Sequence, residues 1–169
     1  MLVIKTVIFD LGGVIVPFDI QRGYARLAPL CGYREEEIPA RLRSTDLVTR
    51  FESGRISSEQ FVAELSRILE LRVTYDEFRG IWNGIFLPGT LVPESMLMGL
   101  RERYRLLLLS NTNELHYSMV EANYPLVRHF HHKILSYKVG AIKPSPKIYE
   151  EAIAQAGCRT SPRGAKAVM

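Results

Sequence analysis

The sequence predicts an α/β protein: a doubly wound parallel sheet with an all-helical insert after its first strand. Three observations predict it. Residues 2–9, Leu2-Val3-Ile4-Lys5-Thr6-Val7-Ile8-Phe9, are apolar almost throughout and run into Asp10 and a Gly12-Gly13 turn. A strand without polar alternation suits a parallel sheet buried on both faces. A second run, Leu106-Leu107-Leu108-Leu109, ends in Ser110-Asn111-Thr112-Asn113. Between the two, from Pro17 to about Thr90, the texture is helical, and strands that alternate with helices assemble into a parallel sheet through right-handed crossovers.

The elements follow in order. After the first strand, Gln21 to Leu30 and Glu35 to Leu47 read as helix. Ser57-Ser58-Glu59-Gln60 makes a capping box, and Phe61, Leu65, Ile68 and Leu69 then fall on one helical face. Thr74-Tyr75-Asp76-Glu77 repeats the capping signal ahead of Phe78, Ile81, Trp82 and Ile85. Pro93 suits the first turn of a helix whose inner face is Met96, Leu97 and Leu100. The second strand is Arg105–Leu109. Asn113 caps a helix that runs to about Asn123, where Tyr124-Pro125 breaks it. Ile134-Leu135-Ser136-Tyr137 is a short third strand. Ser145-Pro146 opens a helix through Ala156, with Ile148, Ala152 and Ile153 inward, and Gly157 ends it. The chain stops at Ala165-Lys166-Ala167-Val168-Met169, which reads as the start of another strand.

With 169 residues, one domain with an insertion or two small domains is expected. No run of eighteen or more apolar residues occurs, so no transmembrane helix is expected. The first apolar stretch lacks a basic leader and a small-residue cleavage site, so it reads as a strand rather than a signal peptide. Cys31 and Cys158 match no metal or redox spacing and read as reduced thiols of a cytoplasmic protein. The net charge of +4 comes from scattered basic residues, with clusters near Arg101–Arg105 and at Arg159, Arg163 and Lys166. Without aromatic interleaving these read as solvated faces, not a nucleic-acid surface, although the positive balance favours a phosphorylated metabolite.

Asp10 lies at the C-terminal end of a strand, where open α/β sheets bind ligands. Ser110 ends the second strand. Lys143, in Gly140-Ala141-Ile142-Lys143-Pro144-Ser145-Pro146, supplies a cation beyond the third. A carboxylate nucleophile, a hydroxyl and a lysine fit phosphoryl transfer. Each also has a plainer reading: Asp10 as a turn residue, Ser110 as a helix cap, Lys143 as a loop cation, Asn111 as a brace for Asp10. Asp19 and Arg22 read as a surface pair rather than substrate contacts. His129, His131 and His132 lack a carboxylate or cysteine at ligand spacing and do not read as a metal site.

Three segments in order, Phe9-Asp10-Leu11-Gly12-Gly13-Val14, Leu109-Ser110-Asn111-Thr112-Asn113 and Gly140-x-x-Lys143-Pro144-x-Pro146-x-Ile148-Tyr149, resemble the haloacid dehalogenase-like (HAD) hydrolase superfamily. The opening through Val16-Pro17-Phe18-Asp19-Ile20-Gln21-Arg22 looks most like its sugar-phosphate phosphatases, the glucose-1-phosphate phosphatase branch. The resemblance implies a Rossmann-like core of residues 1–16 and 91–169 and a cap domain of residues 17–90. It implies an aspartyl-phosphate on Asp10, charge neutralisation by Lys143, and phosphate binding by Ser110, Asn111 and Gly12. It also implies Mg²⁺ on the Asp10 carboxylate and the Gly12 carbonyl, and a small phosphorylated metabolite, a sugar phosphate, as substrate.

Two departures accompany it. Most phosphatases of the family carry a second Asp two residues after the nucleophile, where this chain has Gly12. The family's fourth motif, an acidic pair after the last core strand, would fall beyond Met169. The expectation is therefore a truncated last strand, an impaired activity, and an open sheet edge through which copies of the chain could associate. Two alternatives stay open: a 2-haloacid dehalogenase-type hydrolase, which needs no second Asp, and an inactive binding module on the same fold.

Overall fold

The computed structural model describes residues 3–157; Cys158, the basic tail and the expected strand at Ala165–Met169 lie outside them. Strands β1 (Thr6–Phe9), β2 (Arg105–Ser110) and β3 (His132–Leu135) form a parallel sheet in the order β1-β2-β3. Val7 pairs with Leu106 and Phe9 with Leu108, while Leu109 pairs with Ile134 and Ser110 with Leu135.

The unbroken leucines of β2 reflect cover on both sides. Successive side chains of a strand face opposite ways. Leu106 and Leu108 join Leu97, Val120, Val127 and Phe130 in one core. Leu107 and Leu109 join Ile134, Ile148 and Ala152 in a second core on the other face. The expectation for β1 needs correction: its residues are only partly buried and Ile8 is exposed. Among the described residues β1 is an edge strand and lacks the cover that β2 receives.

Among the described residues four helices flank the sheet: α6 (Glu94–Arg101), α7 (Glu114–Asn123), α8 (Ser136–Val139) and α9 (Pro146–Gln155). Pro93 is the N-cap of α6 rather than its first residue, and Met96 faces solvent while Leu97 is buried. The third strand lies two residues earlier than its sequence suggests. Ser136 leaves the ladder because its hydroxyl is taken by the backbone of Thr112 (below), and α8 begins there and ends at Gly140, which adopts the left-handed conformation with φ 75°.

Between β1 and α6 lie α1 (Ile20–Leu27), α2 (Ile38–Arg43), α3 (Leu47–Glu52), α4 (Ser58–Leu69) and α5 (Tyr75–Asn83). Both predicted capping boxes form, Ser57 with Gln60 and Thr74 with Glu77. The expected helix over 35–47 is broken instead. Ser44 Oγ donates to Arg41 O at 2.7 Å and Thr45 Oγ1 to Leu42 O at 3.0 Å, local bonds that compete with helix continuation. The helix from Gln21 tightens into a 3-10 turn at Ala28–Leu30 around Pro29, which has no N–H to extend α1. These helices share a core of Leu27, Ile38, Phe51, Phe61, Phe78 and Trp82, in which Phe51 and Phe61 stack at 4.2 Å.

Two chain connections join the helical segment to the sheet, and they pair with each other. Asp19 N–H donates to Ile85 O at 2.8 Å, Leu87 N–H to Pro17 O at 2.9 Å, and Leu91 N–H to Ile15 O at 2.9 Å. Phe18 and Phe86 form an antiparallel bridge in this ribbon. Further contacts are made by Ser58, whose hydroxyl donates to Glu114 at 2.7 Å, and by Gly54 (φ 65°), which lies directly against the Tyr137 carbonyl. No helix among the described residues is long and apolar enough to cross a membrane.

Candidate active site

The site is built at the C-terminal ends of β1 and β2. Asp10 follows β1, where the chain turns back on itself. The N–H groups of Ile15 and Val16 donate to Leu11 O at 2.8 and 3.0 Å, and Gly13 N–H donates to Val16 O at 3.0 Å. Gly13 has φ 74°, a conformation glycine adopts without steric cost. Buried Leu11, Ile15 and Val16 anchor the loop to the core. Asp10 is thereby held at the rim, with its side chain 44% exposed.

The two Asp10 oxygens have different partners. Oδ1 accepts the Leu11 N–H at 2.7 Å. Oδ2 accepts from Lys143 Nζ at 2.7 Å, and the same ammonium reaches Leu109 O at 3.3 Å. A charge-assisted bond of this length is among the stronger polar contacts in proteins. Ser110 lies buried at the end of β2, its Oγ turned to Asn111 O at 3.3 Å.

Asn111 braces Lys143 rather than Asp10. Its Oδ1 accepts the Lys143 N–H at 2.7 Å and its Nδ2 donates to Lys143 O at 3.2 Å. One amide thus holds both backbone groups of the residue whose side chain meets Asp10. The next residue is fixed likewise: Ser136 Oγ accepts the Thr112 N–H at 2.9 Å and donates to Thr112 O at 2.8 Å. Asn113 caps α7 by accepting the His116 N–H at 3.0 Å.

His116 ties this loop to the helical segment. Because Asn113 Oδ1 is an acceptor, its Nδ2 is the donor facing His116 Nδ1 at 3.1 Å, which leaves Nε2–H to donate to Trp82 O at 3.1 Å. The ring stacks on Trp82 at 5.2 Å. Burial pushes the imidazole down to about 4, against a weaker upward pull from the Trp82 carbonyl, so it is neutral at pH 7.

The structure therefore brings Lys143 into direct contact with both Asp10 and Asn111, with Ser110 and the Gly12 turn beside them. Asp19 is not paired with Arg22; it caps α1 by accepting the Gln21 N–H at 3.0 Å. The three histidines near β3 have separate partners: His129 bonds Glu94, His131 accepts from the Leu106 N–H, and His132 meets Arg105. Ser136, His116 and Phe18, which packs on Gly12, carried no motif that singled them out. Ser136 is the one with a local clue, a hydroxyl at the end of an apolar strand.

The donor set suits a hard cation. Asp10 offers carboxylate oxygen, and the Gly12 carbonyl takes none of the bonds that close its turn. Mg²⁺ commonly takes one or two protein carboxylates and completes its shell with water and phosphate oxygens. Among the described residues no cluster of three or more His, Cys, Asp or Glu offers a competing site.

Residues 4–169 match the family model described as haloacid dehalogenase-like hydrolase. The chain is 29% identical over 153 residues to a D-ribitol-5-phosphate phosphatase of Bacteroides thetaiotaomicron, a match covering 87% of this chain and 74% of that protein. It resembles the structure of a HAD-family enzyme of Bacteroides thetaiotaomicron in complex with magnesium and inorganic phosphate, with TM-score 0.79, 26% identity, and 91% and 79% of the two chains covered. It also resembles a HAD-like hydrolase from Porphyromonas gingivalis, with TM-score 0.77, 30% identity, and 92% and 78% covered. An L-2-haloacid dehalogenase from Xanthobacter autotrophicus shares the fold at TM-score 0.59 and 20% identity, over 94% and 67% of the two chains. The parallel sheet, its inserted helices and the match along almost the whole sequence place this chain in the haloacid dehalogenase-like hydrolase family.

Proposed function

We propose that the protein is a phosphatase that releases inorganic phosphate from a small phosphorylated metabolite, a sugar or sugar-alcohol phosphate, with Asp10 as nucleophile. The observation that carries this reading is the 2.7 Å pair of Asp10 Oδ2 and Lys143 Nζ at the C-terminal rim of a parallel sheet. The phosphatase relative named above supports the substrate class. Residues 17–90 act as a cap over a core of residues 1–16 and 91–169. We place the enzyme in the cytoplasm, where a cysteine without a disulfide partner, such as Cys31, stays reduced.

In the first step an Asp10 carboxylate oxygen attacks phosphorus. The bond from phosphorus to the ester oxygen breaks, and its electron pair leaves with that oxygen. Water then attacks the aspartyl-phosphate, which regenerates Asp10 and releases phosphate; two steps replace one harder one. Lys143 offsets negative charge on Asp10 and on the phosphoryl oxygens, and Ser110 with the N–H groups around Asn111 and Gly12 holds those oxygens. Mg²⁺, held by the Asp10 carboxylate and the Gly12 carbonyl when bound, supplies further positive charge at the same oxygens. Asn111 keeps Lys143 in register.

The test is phosphate release from a panel of sugar and polyol phosphates, with Mg²⁺ or with chelator, from wild type and Asp10→Asn. Wild type releases phosphate only with Mg²⁺. Asp10→Asn, which keeps the shape of the side chain, loses on the order of 10³-fold or more in kcat, since no substitute nucleophile is at hand. Undiminished turnover in Asp10→Asn refutes the nucleophile assignment. Halide release from 2-haloacids without phosphate release would point to the dehalogenase chemistry instead.

A further inference from the structure

Gly12 and Phe18 occupy one space. A Cβ built on Gly12 would lie 2.9 Å from Phe18 Cε1, 3.3 Å from Cδ1 and 3.8 Å from Cζ, and one on Gly13 would lie 3.9 Å from Cε1. Gly12 is not among the glycines of positive φ, so its backbone would accept a side chain. The ring is what excludes one. Phe18 is also not an ordinary core residue. It is 44% exposed, it comes from the ribbon below the helical segment, and its ring lies 6.4 Å from Phe86. A large ring half in water, laid on the turn two residues past the nucleophile, is poorly explained by burial alone.

We infer that Phe18 is a specificity-determining residue: its ring stands where a side chain at position 12 would project and walls that flank of the reaction centre with carbon, leaving no proton donor there for the departing group. This rests on the phosphatase reading above. Lys143 and Ser110 serve Asp10 and the phosphoryl oxygens rather than the departing group. Lys143 Nζ is shared between Asp10 and Leu109 O, and Ser110 Oγ is turned to Asn111 O. When the bond from phosphorus to the ester oxygen breaks, the departing oxygen keeps the electron pair and takes its proton from water. Rates then follow the basicity of the leaving group, because no positioned acid assists its departure.

The test uses the full chain with Mg²⁺ and a series of aryl and alkyl phosphates of graded leaving-group pKa. For wild type, kcat/KM is expected to fall steeply, roughly threefold or more per unit of leaving-group pKa, as unassisted departure requires. In the Phe18→Ala/Gly12→Asp double variant an acid gains both room and position. The dependence flattens, and a new ionisation appears on the basic side of the pH–rate profile. A flat wild-type dependence, or a double variant with no new ionisation, overturns the role of Phe18.

A second readout needs no turnover. Gly12→Ala lowers the unfolding midpoint in urea more with Phe18 present than in a Phe18→Ala background, where the half-exposed position tolerates truncation. Equal losses in the two backgrounds overturn the shared space. Absence of phosphate release from folded wild type refutes the phosphatase reading itself, whereas release with a flat leaving-group dependence refutes only the inference about Phe18.

Discussion

Asn111 spends its whole side-chain amide on the backbone of Lys143, with bonds of 2.7 and 3.2 Å. Lys143 has a long flexible stem, and without this clasp its ammonium would sample many positions around Asp10. Asn111→Ala is therefore expected to lower stability by about 1–3 kcal/mol, the cost of leaving partly buried polar groups unpaired. It should also lower kcat by roughly 10²-fold, as a displacement of about 1 Å at a reacting centre does. Urea unfolding and steady-state kinetics measure the two; lost stability with unchanged kcat would make the clasp purely structural. As candidates, Asp10, Ser110 and Lys143 were legible in the sequence because each ends an apolar strand, follows one, or lies in a proline-bounded loop. The role of Asn111 was not, because its bonds span 32 positions. Phe18 was invisible for a related reason: a ring that fills the space beside a glycine six positions earlier leaves no local pattern.

At the level of single elements, the turn between α3 and α4 shows how closely the helical segment sits on the sheet. Gly54 has φ 65°, and any Cβ there would enter the Tyr137 carbonyl in α8. Gly54→Ala combines a left-handed cost of about 1–2 kcal/mol with a clash costing about 1–3 kcal/mol. A urea midpoint lowered by these amounts is expected, and a neutral result would mean that the contact is not maintained in solution. His116 couples α7 to α5 in a different way. Its folded-state pKa, about 4, lies below the ordinary 6.5, so the unfolded chain binds the extra proton between those values. Stability from this residue is full above pH 6.5 and is lost as pH falls toward 4. The loss is about 2 kcal/mol between pH 7 and pH 5, at about 1.4 kcal/mol per unit. Urea unfolding at both pH values should show that His116→Gln removes most of this difference. The helices most legible in the sequence were α4 and α5, whose capping boxes are local and reciprocal. Those around 35–47 were less so, because Ser44 and Thr45 turn back onto the chain where periodicity alone would continue the helix.

At the scale of the molecule, the β2 leucines made the doubly covered sheet legible, since a strand without polar alternation has few other uses. The exposure of Ile8 was not legible, because an apolar run does not state how many neighbours it will find. The sheet and the helical segment keep separate cores, but Leu115 of α7 joins the helical core while Tyr117 and Val120 of the same helix join the sheet core. One helix thus serves both bodies. The ribbon of residues 15–19 and 85–91 sets how those bodies can move. Two independent tethers would let the helical segment twist as well as tilt. Three cross-bonds, from Asp19, Leu87 and Leu91, lash them into a single strap. The amides of these three residues are expected to exchange with deuterium at one common rate, and unequal rates would mean that the cross-bonds open independently. A strap bends readily about one axis and resists rotation about the others, so the helical segment should swing like a door on a leaf hinge, returning each time to the same jamb.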